Sequence, residues 1–326
     1  MKQLCVLFLI LIFPITTNRL VAAPSCRIIK SDLLHFWEAY DSLSKNKDTL
    51  AVLNKIVFNQ SSEAYRVFCK KWHITAEDLK NQLTRYPNFY ASIRARSIEL
   101  ANNGDSIHCL VKRFNQLYKN FKGADICLAF GNFKTGGTIE ITPNGNLVYI
   151  GMEFHTGGDR ADYTEFHPSL YHYLVNGSFY HTLVHELVHV QQYTHGSRIK
   201  KCLQHPSLAA HAIKEGVPDF IAAVVCGHPL PNVRYVYGNK NADRLLLEFY
   251  KQRHLVSHDK WFGHPESGIP PDMGYFIGYC IALSYSKHHA RALNDVTPFI
   301  EIKNVKKFIR KSRALQMVQW PSDKKH

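Results

Sequence analysis

Apolar residues recur along this chain with two different periods, and the period changes twice. From Ser31 to about Lys122 they fall three and four apart: Leu33, Phe36, Trp37 and Tyr40, then Leu79, Leu83 and Tyr86, then Leu110, Phe114, Leu117 and Tyr118. That spacing collects them on one face of a 3.6-residue helix and predicts several amphipathic helices. After Gly123 the pattern shortens. DICLAFG reads as a strand, and TIEIT and NLVYIGMEF flank Pro143-Asn144-Gly145-Asn146, a turn between two strand-like runs. Helical spacing returns over Ser178 to Thr194, with Gly196 as a natural C-cap. It recurs roughly over 207–226, 241–253, 273–290 and 303–313. Helices, a small sheet and helices again give an α+β class. No linker-like stretch interrupts them. The expectation is one bilobal domain over 24–326, with a helical lobe at 24–122 and a sheet-bearing lobe at 123–326.

The N-terminus changes the compartment. MKQLCVLFLILIFPITTNRLVAAPS joins a lysine to an apolar run from Leu4 to Ile15, then ends in small residues at Ala22 and Ala23. The run is too short to span a bilayer, so it predicts a secretory signal peptide over residues 1–23 and an exported protein, secreted or held in the periplasm or cell envelope. Cysteines Cys26, Cys69, Cys109, Cys127, Cys202, Cys226 and Cys280 follow it, with no CxxC pair, which argues against a cysteine-based zinc knot. Their odd number means that not all of them can pair internally. The net charge of +14 suggests contact with anionic surfaces such as phospholipid headgroups, cell-wall polymers or nucleic acid. KNVKKFIRKSR, Lys303 to Arg313, is the densest basic run and reads first as a solvated helix face. It leaves contact with an anionic cell surface open. It lacks the interleaved aromatics and fold motif of specific nucleic-acid binding.

The candidate chemistry lies in HTLVHELVHVQQYTHGSRIK, which holds histidines at 181, 185, 189 and 195 and one acid, Glu186. His185-Glu186-Leu187-Val188-His189 is an HExxH match. On a helix, residues four apart lie about 40° apart around the axis, so His185 and His189 can grip one ion. Glu186 lies about 60° from His189, where it can face a water at the ion without ligating it. Zinc suits two imidazoles, one further protein donor and an open position, with Glu186 as general base. His181, one turn earlier, fits a supporting or packing role better than ligation. The third donor is His195 or Glu215. HExxHxxGxxH would bend the chain at a glycine to bring in His195, but Gln192 holds that position and favours a continuing helix. Glu215 in HAIKEGVPDF has Asp219 four residues on, placed to reach a ring N–H of a ligating histidine. Pro218 is tolerated in a first turn, which allows that helix to begin near Gly216 instead of running through.

HELVHVQQ followed by EGVPDF resembles the HExxH plus ExxxD arrangement of the gluzincins, the thermolysin-like zinc peptidases. It is most similar to the gliding-motility protein B-like group of predicted zinc-dependent proteases, which carry HExxHxxQ, EGxADF and a GYxxGY segment. GYFIGY at Gly274 to Tyr279 matches the last, and IGMEF at Ile150 to Phe154 resembles the strand before that family's zinc helix. The resemblance spans about residues 125–315. It implies a mostly helical thermolysin-like fold, a small sheet beside the HExxH helix, and a zinc site of His185, His189 and Glu215 with Asp219 behind them. The implied function is hydrolysis of a peptide or protein substrate. Pro218 departs from the alanine usual in that family. Tyr275 and Tyr279 share a helical face, and either hydroxyl would serve as an oxyanion donor. Gly274 and Gly278 would let another backbone approach. TIEIT offers an edge strand for an extended peptide. The alternative is a non-proteolytic envelope scaffold or binding protein that retains zinc, since some members of the group are named for motility.

Overall fold

The computed structural model describes residues 26–314 except 176, 257–259, 264–267 and 290–292. The segment expected to be a signal peptide, residues 1–23, lies outside these residues. A two-residue strand, β1 (Ile28–Ile29), comes first, then six helices: α1 (Ser31–Leu43), α2 (Thr49–Leu53), α3 (Glu63–Trp72), α4 (Ala76–Arg85), α5 (Pro87–Asn102) and α6 (Gly104–Leu117). The other strands of the sheet follow: β2 (Asp125–Ala129), β3 (Gly137–Thr142) and β4 (Gly145–Gly151). Nine more helices complete the described chain: α7 (Pro168–Val175), α8 (Phe179–Thr194), α9 (Ser197–Leu203), α10 (Leu208–Cys226), α11 (Val233–Lys240), α12 (Ala242–Gln252), α13 (Met273–His288), α14 (Thr297–Ile300) and α15 (Val305–Ser312). The protein is mostly helical with a small mixed sheet, the α+β class expected from the sequence. Among the described residues no helix is long and apolar enough to cross a membrane.

The sheet runs in the order β1-β2-β4-β3. β2 lies parallel to both β1 and β4, whereas β3 pairs antiparallel with β4 alone and forms an edge. Thr142 sits opposite Gly145, so the hairpin turns through Pro143 and Asn144, and Gly145 takes φ +140°, a conformation glycine allows. The strand anticipated through Phe154 stops at Gly151, and Met152–Phe154 is a turn of 3-10 helix.

Helices cover both faces of the sheet. Phe68 of α3 stacks on Tyr149. A Cβ on Gly137, which pairs with Ile150, would instead strike Glu186 and Thr182 of α8. Because neighbouring residues of β4 point to opposite faces, α3 and α8 lie on opposite sides.

Pro218 does not interrupt α10, which runs unbroken from Leu208 to Cys226. Proline deletes the N–H that would bond the carbonyl four residues earlier and costs about 3 kcal/mol in an unsupported helix. Here tertiary contacts override that local rule. Gly216 of α10 lies against Gly278 of α13, where a Cβ on Gly278 would come 1.8 Å from the Ala212 carbonyl oxygen. The missing side chains let the two helix backbones touch. Gly274 has a different role from the one expected: it leaves room for the Phe262 ring and not for a backbone.

Candidate metal centre

α8 presents His185 and His189 on one face, and α10 brings Glu215 up to them. His189 Nε2 is 3.2 Å and His185 Nε2 is 3.5 Å from Glu215 Oε2. One ligand atom from each of these three buried residues lies within 4.8 Å of the others, the arrangement of a site able to hold a metal ion. The remaining ring nitrogens are engaged. His185 Nδ1 donates to Asp219 Oδ1 at 2.7 Å, and His189 Nδ1 donates to Gln192 Oε1 at 2.8 Å. With both Nδ1–H groups committed, both Nε2 atoms face Glu215 Oε2, hydrogen-bonding it when protonated and able to offer their lone pairs to a metal ion in place of that proton. Glu215 Oε1 points the other way, to Lys214 Nζ at 2.9 Å.

Charge is concentrated here on buried groups. Burial alone raises the Glu215 carboxyl, but His189, His185 and Lys214 overcome this and hold it well below the usual carboxylate range. Asp219 behaves similarly: burial raises it, and the hydrogen bond and charge of His185, with Arg234 and Tyr235, bring it below. Glu186 goes the other way. Burial raises its carboxyl, and the neighbouring histidines only partly oppose that. Glu186 is packed beneath the edge strand at Gly137.

Gln192 has a second bond. Its Nε2 donates at 3.4 Å to the carbonyl of Lys214, four residues before Pro218 and therefore without its helical N–H partner. The amide is held at both ends, which fixes the side on which its oxygen faces His189.

The cleft over these groups has a volume of about 480 Å³. β3 from Gly137 to Ile141 forms one wall, and Tyr275, Tyr193, Lys71 and Lys200 complete much of the rest. Tyr275 lies with its ring 5.9 Å from that of His185, and the Arg234 guanidinium sits 4.6 Å from the Tyr275 ring. Tyr279 does not line the cleft. One turn further along α13, about 6 Å along the axis, it packs on Tyr235 and Phe220. A larger cavity of about 960 Å³ lies between β1 and the hairpin and gathers no comparable donor set.

α8 continues through Gln192 to Thr194, which carries His195 away from the cluster. Its Nδ1 faces the Gln191 carbonyl and its Nε2 the Asn120 carbonyl, both at 2.9 Å. His181 bonds Ser178 and the His228 carbonyl, a packing role. Tyr235 and Arg234 were not visible as site residues in the sequence. The Tyr235 hydroxyl donates to Asp219 Oδ2 at 2.6 Å, and Arg234 Nη1 lies 3.7 Å from the same oxygen. The Gln192 contact had a signal, because residues three apart on a helix are neighbours. Tyr235 and Arg234 had none. All seven cysteines from Cys26 to Cys280 are unpaired. Set against known protein families, curated proteins and solved structures, the chain matches none of them.

Proposed function

We propose that this protein is a zinc-dependent peptidase of the gluzincin type, with His185, His189 and Glu215 as ligands. The observation that carries the reading is the spacing of the three donor atoms. A tetrahedral ion with ligands at about 2.0–2.1 Å separates neighbouring donors by roughly 3.3 Å. The two contacts to Glu215 Oε2 are 3.2 and 3.5 Å. Two imidazole nitrogens and one carboxylate oxygen also match zinc chemistry, with the ring orientations fixed from behind by Asp219 and Gln192.

Zinc, when bound, supplies positive charge that acidifies a water and polarises a carbonyl. The remaining steps belong to the chain. Glu186, raised by burial and kept off the ligand set, would take a proton from the attacking water and pass it to the leaving amine. Tyr275 lines the cleft, and its hydroxyl donates to the developing oxyanion, a role Tyr279 is too remote to fill. β3 is the edge strand along the cleft wall, where an extended peptide that displaces Lys71 Nζ from the Ile139 carbonyl can add as a further strand.

The test is Glu186→Gln assayed with a broad peptide library under metal-replete conditions. Hydrolysis is expected to fall about 10²–10⁴-fold with metal content unchanged, because a base is lost and no ligand. If the wild-type chain holds metal and cleaves nothing, the cluster is structural, and the scaffold or binding function replaces the enzymatic one.

A further inference from the structure

α15 is amphipathic in a way the metal centre does not use. It turns Val305, Phe308 and Ser312 into the core and leaves Lys306, Lys307, Arg310 and Lys311 exposed. One flank of it closes a groove of about 700 Å³ against the start of α10 and the end of α12. Seven Lys or Arg side chains and two His line this groove, with no carboxylate among the lining residues. Arg198, Lys201, Arg253, Lys306, Arg310 and Arg313 are the principal cations. Among the described residues none of the seven pairs with a carboxylate. An adjoining cavity is also wholly basic, lined by His288, His289, Arg310, Lys311 and Arg313. Cations this close lie within a Debye length of one another and repel, so the fold gains nothing from grouping them. An anion between them would relieve that repulsion.

The groove is not purely polar. The half-buried Ile309 contributes apolar surface between the cations, over a floor of the buried Ala209, Ala210 and Val305. At its edge Leu255 and Val256 are 52% and 64% exposed. That segment is fixed in place, because the Leu208 and Ala209 amides donate to the carbonyls of Leu255 and Arg253. Exposed aliphatics beside unpaired cations suit the boundary of a bilayer, where phosphates meet the charges and methyl groups reach the acyl region. Nucleic acid suits the groove less well. Apart from the His205 and His254 imidazoles, Tyr250 is its one aromatic ring, and the Arg253 guanidinium covers a face of that ring at 3.8 Å, so the groove lacks the run of open aromatic faces on which successive bases stack.

We infer that this groove binds the headgroups of anionic phospholipids and seats the protein on a negatively charged membrane surface. No residue lining it lines the metal cleft, so the inference stands whether or not the cleft is catalytic.

The test is vesicle flotation of the full chain with phosphatidylcholine alone and with added phosphatidylglycerol. The readout is the ratio of partition onto anionic and neutral vesicles, in which any contribution of the N-terminal apolar segment cancels. Each cation near a charged surface contributes about fivefold, so Lys306→Gln with Arg310→Gln is expected to lower the ratio about 25-fold. The control pair Lys45→Gln with Lys47→Gln removes the same net charge outside the groove and is expected to leave the ratio within about twofold. Unchanged melting temperature and metal content identify the variants as folded. An equal loss in both pairs means that net charge alone attracts the protein, and overturns the groove. So does binding of a double-stranded oligonucleotide without any vesicle preference.

Discussion

Replacing Asp219 by alanine is expected to have two separable effects. Its Oδ1 takes the His185 Nδ1–H at 2.7 Å and its Oδ2 takes the Tyr235 hydroxyl at 2.6 Å, in a side chain only 5% exposed. Losing the first bond frees the His185 ring and is expected to weaken metal binding about 10–100-fold, or roughly 1.4–2.7 kcal/mol. Losing the second orphans a buried hydroxyl and leaves Arg234, among the described residues, with Asp272 at 3.5 Å as its countercharge. Breaking one partner out of such a buried set costs about 3–5 kcal/mol of fold stability. Chelator competition measures the first effect, and denaturant unfolding of the metal-free chain measures the second. Asp219→Asn separates them: the amide oxygen still accepts from His185, so affinity is expected to fall less than about tenfold, while the lost charge beside Arg234 still destabilises the fold. A folded Asp219→Ala protein with wild-type metal affinity would refute the orienting role.

His185→Ala, His189→Ala and Glu215→Ala are each expected to abolish stoichiometric metal, measured by elemental analysis, whereas His195→Ala should leave affinity within about twofold; metal loss only with His195→Ala would reverse the ligand assignment. Gly278→Ala should destabilise the protein by about 3 kcal/mol or more, read from denaturant midpoints, since the new Cβ must part α10 from α13. Glu153 gives a pH dependence. Burial pushes its carboxyl up to about 7, with backbone N–H groups of Gly131 and Phe133 partly opposing the rise. A folded pKa above the unfolded value means that stability is full below about 4.5 and is lost as pH rises through about 7. Glu153→Gln should therefore match the wild type at acid pH and exceed it by up to roughly 3 kcal/mol above pH 8, as measured by thermal melts. Identical pH profiles for the two proteins would rule this out.

What was legible in the sequence was local. α8, α10 and α13 follow from the helical period of their own residues, and the β3–β4 hairpin follows from Pro143-Asn144-Gly145. The His185–His189 face needed only helix geometry, and Glu215 with Asp219 stood out through their own four-residue spacing. What failed depended on distant partners. β1 is two residues long, and nothing near it announces β2, which lies nearly a hundred positions on. The short helices α9 and α11 were also missed. Tyr235 reaches Asp219 only because α11 packs on α13, where its ring meets Phe276 and Tyr279. Tyr275 and Tyr279 share a helical face, but only the first reaches the cleft, since the wall ends within one turn.

Pro218 sits where stability and order at the candidate metal centre pull in opposite directions. Judged by helix propensity alone, it is the first residue of α10 that a stabilising screen would replace. Yet the carbonyl it leaves unclaimed receives the Gln192 amide, and that amide fixes the orientation of the His189 ring. A substitution that restores the helical N–H supplies a competitor for the same oxygen. Gln192 could then turn over and offer an N–H to a nitrogen that is itself a donor. A variant selected for resistance to heat would gain a backbone bond and lose the tautomer on which the centre depends.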